Sequence, residues 1–192
     1  QVEKIYVAGI SGSGKSTYSS RYITNYLKKY RDNEFYIFSN VDKDECLDKI
    51  NPIRVDLENL ESNPVSDEEL ADSVCLFDDI ATIANPRVRK ITQNVLENLL
   101  EQGRHTNTTV ICCAHVIMNY GQTRRLLNEA TSVVIFPKAG SNALNVRYLK
   151  NYGGFSDDAI EKILHLPSRW CAIYRTLHPA QYVLHEKGAY LV

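Results

Sequence analysis

The chain lacks a long hydrophobic run. No stretch approaches the roughly 18 apolar residues that a membrane-spanning helix needs, so no membrane partner is expected. It also lacks a basic, then apolar, then small-residue leader, and a signal peptide is not expected. Because the chain opens on Gln1 rather than Met, its start is not taken as the native one. There is no excess of either charge: 22 Lys plus Arg against 23 Asp plus Glu leave a net charge of -1. That balance argues against a dedicated nucleic-acid-coating protein, which is usually basic, while leaving room for a local patch. No CxxC pair occurs, and the five cysteines are an odd number. Cys112 and Cys113 therefore read as small buried strand residues in a reducing, intracellular compartment. Internal repeats, low-complexity linkers and coiled-coil heptads are absent too.

What remains is an ordinary globular composition, with 44% hydrophobic residues in 192. That length fits one domain, 1–192, with a full hydrophobic core. Lys4 to Gly9 (KIYVAG) is a short apolar run ending in glycine and reads as a buried strand. Ser16 to Tyr30 carries apolar residues at helical spacing and ends on Lys28-Lys29, cations suited to a helix C-terminus. Glu34 to Ser39 is a second strand. Asn40 to Ser73 is polar, with short helices expected around Asp44 to Ile50 and after Ser66, where Ser66 and Glu69 fit a capping box.

Ser73 to Asp79 (SVCLFDD) is a continuous apolar run closed by two acids, the pattern of a parallel strand covered on both faces. Asn85-Pro86 starts a helix, and Gly103 ends it as a C-terminal cap. Thr108 to Ala114 and Thr131 to Phe136 read as strands, with a short helix at Thr123 to Glu129 between them. Helices at Asn142 to Asn151 and Ser156 to Leu166 follow. Trp170 to Thr176 and Gln181 to Glu186 flank Pro179 and read as a hairpin, and Lys187-Gly188 turns into a last strand. Such alternation implies an α/β fold whose sheet is mostly parallel and flanked by helices. Ligands in these sheets bind beyond the carboxyl ends of the strands.

Gly9-Ile10-Ser11-Gly12-Ser13-Gly14-Lys15-Ser16, followed by Thr17, matches the phosphate-binding pattern G-x-x-x-x-G-K-[ST]. Glycines let the backbone N–H groups wrap an anion, and the following helix adds its positive end. Lys15 is expected to reach the β- and γ-phosphates, and Ser16 to bind Mg²⁺ through its hydroxyl. The strand before the motif and the helix after it are what that mechanism requires.

Asp78 ends a strand 63 positions after Lys15 and fits the acid that holds Mg²⁺. Asp79 follows at the position where, in many ATPases of this layout, a second acid polarises the attacking water; the plainer alternative for both acids is a strand end facing solvent. His115 ends the next strand and is placed to sense the γ-phosphate or to orient water. The plainer alternative for His115 is a strand-end histidine bonded to backbone. Arg104, just after Gly103, is either a solvated loop cation or a finger that reaches a neighbouring subunit's γ-phosphate. Arg87, Arg89, Arg124, Arg125 and Arg147 compete for that role. The clusters Lys28-Lys29-Arg31 and Arg87-Arg89-Lys90 read as solvated surface.

The order GISGSGKST, VCLFDD, a helix ending in GRH, then an apolar strand ending in a polar residue resembles the genome-packaging ATPases of large double-stranded DNA viruses and their virophage relatives. Those belong to the FtsK/HerA superfamily of P-loop motors. The resemblance spans Lys4 to Arg147 and rests most on Asp78-Asp79 and on Gly103-Arg104-His105. It implies a RecA-like core, ATP and Mg²⁺, and a homo-oligomeric ring, usually of six subunits. It also implies translocation of duplex DNA, without sequence preference, into a capsid with its portal components. The expected place is the host-cell cytoplasm at the site of virus assembly, with virion association. By position, Lys15 and Ser16 take phosphate and magnesium, Asp78 the metal, Asp79 the catalytic role and Arg104 the arginine of the GRH loop. Two positions depart from the family: His115 stands where Gln is common, and Asp79 where Glu is common. Two other classes stay open. One is a small-molecule P-loop kinase with Arg124-Arg125 as its lid. The other is a nucleotide-binding scaffold without turnover.

Overall fold

Runs that are mostly apolar form strands buried along nearly their whole length, as the parallel α/β pattern demands. The computed structural model describes residues 2–118, 123–139, 142–175 and 182–191. The strands are β1 (Lys4–Ala8), β2 (Glu34–Ser39), β3 (Ile53–Arg54), β4 (Ser73–Asp78), β5 (Thr109–Ala114), β6 (Ser132–Ile135), β7 (Cys171–Tyr174), β8 (Tyr182–His185) and β9 (Gly188–Leu191). The helices are α1 (Lys15–Lys29), α2 (Pro86–Gln102), α3 (Arg124–Glu129), α4 (Asn142–Tyr148) and α5 (Asp157–His165). None of the described helices is long and apolar enough to cross a membrane.

The residues fall into two compact units, one of residues 1–4 and 15–113, the other of residues 5–14 and 114–192. In the first unit the strand order is β3-β2-β4-β5, and every pair is parallel. The register sets Ser39 beside Asp78 and Asp78 beside Cys113, so three strands end in one row. Phe38 and Phe77 stack at 4.3 Å between ring centroids within this core. In the second unit β1 pairs with β6 in parallel, and β6, β7, β8 and β9 continue as antiparallel neighbours. The expected mostly parallel α/β architecture with a C-terminal hairpin is therefore present. Thr176 and Gln181, the inner ends of the expected hairpin strands, lie outside the described residues with Pro179 between them.

Local chemistry accounts for most boundaries. The Asn85 side chain accepts from the N–H groups of Arg87 and Val88, and Pro86 occupies the first helical turn of α2. Ser156 caps α5 in the same way through Ala159 N–H. Asp44 accepts from the N–H groups of Cys46 and Leu47, which leads into a single 3₁₀ turn at Asp48–Ile50 rather than a longer helix. Ser66 and Glu69 form the reciprocal pair of a capping box, 2.7 and 3.2 Å, yet only a turn follows. Asp72 adopts a left-handed φ of 50° and starts β4 before a helix can extend. The helix expected to reach Asn151 instead widens to a π-turn at Leu149–Gly153 and stops at left-handed Gly154.

Gly103 does end α2 as its C-terminal cap, without the left-handed conformation that such glycines commonly adopt. Its φ of -55° is right-handed, and its N–H donates to Leu99 O. The left-handed residue is Asn107, φ 55°. Glycine is needed at 103 because a Cβ there would fall 2.5 Å from Leu99 O and 3.1 Å from Thr108 O. Both are backbone atoms in hydrogen-bonded segments and cannot swing away. Gly103→Ala should therefore destabilise the chain by about 1–3 kcal/mol, despite alanine's better helix propensity. A denaturant titration with an unchanged slope and a lower midpoint would show it, and an unchanged midpoint would contradict the close approach.

Candidate active site

The glycine-rich loop begins where β1 ends, in the second unit. Gly9 N–H donates to Ala114 O at 3.0 Å, and Ser13 N–H closes a turn on Ile10 O at 3.1 Å. Gly12 and Gly14 adopt φ of 75° and 106°, conformations that L side chains rarely take. A Cβ on Gly9 would lie 2.5 Å from Ser13 Oγ and 2.7 Å from the Phe136 ring. The loop is thus a tight curve whose glycines are required at three positions. Phe136, read in the sequence only as a strand end, is the wall it packs on. Ser13 Oγ is buried and has no hydrogen-bond partner among the described residues. A buried hydroxyl with unused capacity, inside a loop of this shape, fits an anion that would complete it. Ser11 and Gly12 are exposed at the tip of the loop.

The next residue along the chain, Lys15, is the first of α1 and belongs to the first unit. The residue is buried, 8% exposed, and Lys15 Nζ lies 3.7 Å from Asp79 Oδ2. Ser16 follows on the helix, and Thr17 Oγ1 lies 3.9 Å from Cys46 Sγ. Asp78 is the last residue of β4. Asp79 then turns sharply, with φ 45°, while its N–H stays bonded to Cys113 O at 3.0 Å. Aspartate is among the few residues that tolerate this left-handed region. The turn swings the second carboxylate off the strand and toward Lys15, a feature absent from a simple strand reading of VCLFDD.

The neighbouring thiols feel both acids. Burial first, then the Asp79 and Asp78 carboxylates, pushes the Cys112 thiol up to about 12. Burial and Asp78 likewise raise Cys113 well above its ordinary value. Both cysteines are buried, as the sequence implied, and Ser19 Oγ meets Cys113 Sγ at 3.4 Å to tie α1 to β5.

Among the described residues no group of three or more His, Cys, Asp or Glu side chains is placed to hold a metal ion by itself. A divalent ion here would draw further ligands from a bound phosphate, which is how Mg²⁺ commonly binds proteins. Ser16 and Asp78 are oxygen donors of the right type for that arrangement.

His115 immediately follows β5 and is exposed. Arg104 is exposed in the turn after α2. Val74 pairs with Thr109 and Asp78 with Cys113, so Arg104 stands at the amino ends of β4 and β5, opposite Asp78. Of its competitors, Arg87 is ion-paired with Glu61, and Arg89 donates to Ile83 O at 3.0 Å. Arg124 and Arg147 line a separate cleft in the second unit.

A strand, a glycine-lined loop, a helix opening on lysine and an acid pair at a strand end define a P-loop nucleoside-triphosphatase fold. The chain is 36% identical over 189 residues to protein V3 of Sputnik virophage, covering 97% of this chain and 76% of that protein. It belongs to the family of that virophage protein. No family model matches the sequence. Among solved structures, the genome packaging NTPase B204 of Sulfolobus turreted icosahedral virus 2 shares the fold. In complex with AMPPCP it superposes with a TM-score of 0.61 at 14% identity, covering 96% of this chain and 97% of that one. Its complex with ATP-gammaS gives 0.60 at 16% identity, with the same coverage. The KaiC-like protein PH0186 of Pyrococcus horikoshii gives 0.50 at 11% identity, covering 99% and 89%.

Proposed function

We propose that the 192 residues act as one P-loop ATPase domain, a subunit of a motor of the FtsK/HerA type that moves viral double-stranded DNA into a capsid. The observation that carries the chemistry is the Lys15–Asp79 pair at 3.7 Å. A cation suited to β- and γ-phosphate oxygens stands beside a carboxylate suited to a water. The virophage relative and the fold shared with a packaging NTPase support the choice of DNA as the cargo.

In this reading the loop from Gly9 to Gly14 holds the phosphates through backbone N–H groups and the Ser13 hydroxyl. The start of α1 adds its positive end. Lys15 leaves Asp79 for the phosphate oxygens and offsets charge that grows on them during transfer. Ser16 and Asp78 would hold a Mg²⁺ ion, which would supply positive charge to the phosphate oxygens. Asp79, freed from Lys15, orients a water in line with the γ-phosphate. The water oxygen bonds to phosphorus, the bond to the leaving diphosphate breaks, and Asp79 takes the water's proton. His115 is assigned to sensing the γ-phosphate from the end of β5. The host-cell cytoplasm, a ring assembly and capsid or portal components as partners complete the proposal.

The test is phosphate release from ATP with Mg²⁺, with and without duplex DNA. Release stimulated several-fold by duplex DNA is expected. Phosphate appearing on an added nucleoside instead of in water would establish the kinase reading. Tight ATP binding with no release under either condition would establish a scaffold.

A further inference from the structure

Charge is unevenly distributed along a chain that is nearly neutral as a whole. From Asn40 to Ser73 there are eleven acidic and three basic residues; from Val116 to Phe155 there are five basic residues and one acid, Glu129. Two of those five cations, Arg124 on α3 and Arg147 on α4, converge on one cleft of about 600 Å³ in the second unit. Thr123 and Asn128 supply polar groups to its lining, and Tyr152 an aromatic ring. Among the described residues, no acidic side chain lines it. Neither arginine is ion-paired to an acid among the described residues, whereas Arg54, Arg87, Lys150 and Lys162 each have an acidic partner.

Two guanidinium groups that line one cleft, with no acidic partner among the described residues, suit an anion that both could contact. The cleft is also held in shape. Tyr6 Oη donates to Val116 O at 2.5 Å, which fixes the segment leaving β5. Tyr152 stacks on the buried Tyr148 at 5.7 Å, which fixes the cleft's aromatic side. Val116 nevertheless stays 42% exposed, an apolar edge beside the cations. Arginines for phosphates, small polar groups for further phosphate oxygens and an aromatic and apolar wall for sugar form a set that suits a nucleic-acid backbone.

We propose that this cleft, with Arg124 and Arg147 as its two phosphate contacts, is where the subunit grips the phosphodiester backbone of duplex DNA. The inference rests on the reading of the chain as a DNA-acting ATPase. It puts the grip on the second unit, among residues that carry no part of the hydrolytic chemistry assigned to Lys15, Ser16, Asp78 and Asp79.

The test is the affinity of a fluorescently labelled duplex for the full chain across a salt series, with Arg124→Gln/Arg147→Gln as the variant. Both side chains are exposed, so a melting curve superimposable on wild type is expected. Loss of two phosphate contacts should weaken duplex binding roughly tenfold or more at low salt. It should also flatten the slope of log K against log salt by about 1.8. Affinity for a fluorescent ATP analogue should stay unchanged. A variant with the wild-type duplex affinity and salt slope would overturn the proposal and leave the ATPase reading standing. Loss of ATP-analogue binding with duplex affinity retained would assign the cleft to nucleotide phosphate and overturn it as well. A wild-type chain that hydrolyses ATP but binds no duplex would sink the DNA reading itself, and this site with it. Single-stranded competitor that displaces the duplex at equal nucleotide concentration would argue against a duplex backbone as the occupant.

Discussion

Lys15→Ala is expected to lower Mg²⁺-dependent ATP hydrolysis by about 10²–10³-fold, the usual cost of losing one preorganised charge-stabilising group. The reasoning starts from burial. Lys15 Nζ is held at the first residue of α1 with 8% of the residue exposed, and Asp79 lies 3.7 Å away. A partly desolvated amine so close to a carboxylate is an exchangeable pair: a triphosphate carries more negative charge than one carboxylate and competes for the same cation. Alanine removes the cation, so charge growing on the γ-phosphate oxygens goes unmatched in the transition state. It is also a good helix former at the start of α1, so the fold should survive. Lys15→Arg keeps the charge with a longer, planar head group and should recover only part of the rate. Single-turnover phosphate release, with nucleotide affinity measured in parallel, separates the arms. Equal release by wild type and Lys15→Ala would mean that Gly9 to Thr17 is not the reacting site.

Much of this site was legible in the sequence because its elements are locally encoded. A strand covered on both faces must be apolar throughout, so SVCLFDD marked β4 and placed Asp78 at its end. Asn85-Pro86 is a start signal that needs no tertiary context, and α2 begins there. What stayed hidden depends on contacts between distant residues. Nothing in the dipeptide Asp78-Asp79 indicates that the second acid turns left-handed, because that is decided by its bond to Cys113, on another strand. The role of Phe136 as the wall behind Gly9 and Gly14 arises from the pairing of β1 with β6. Ser66 and Glu69 carry a correct helix-start signature, yet Asp72 ends the turn so that β4 can enter its sheet. Arg124 and Arg147 are 23 positions apart and meet only because α3 and α4 fold onto one cleft. The sequence named them only singly, as competitors for the finger role and, for Arg124 with Arg125, as a candidate lid.

Arg104→Ala should leave ATP affinity and stability near wild type while lowering turnover by about 10³–10⁵-fold, the range for removal of an arginine finger. The geometry makes this a sharp claim. Val74 to Asp78 spans four residue steps of β4, about 13 Å, and Arg104 lies beyond the amino end of that span. It cannot reach phosphate held beside Asp78 of its own chain. The turn that carries it is nevertheless well built. His105 N–H donates to Gln102 O at 2.8 Å, Thr108 N–H to Gly103 O at 2.8 Å, and Asn107 bonds Asp72 at 2.6 Å. An exposed arginine on a braced turn is presented outward, as a residue acting on a neighbouring subunit must be. Any large effect of Arg104→Ala must therefore pass between subunits. Mixing supplies the decisive measurement. A Lys15→Ala subunit has a dead loop and an intact Arg104, and an Arg104→Ala subunit has the reverse. If the chain forms the proposed ring, mixed rings would contain junctions where the intact arginine faces the intact loop, so activity should rise above that of either variant alone and peak at intermediate ratios. A flat, inactive mixing curve would remove the case for action in trans, and full activity of Arg104→Ala by itself would make Arg104 a solvated surface residue.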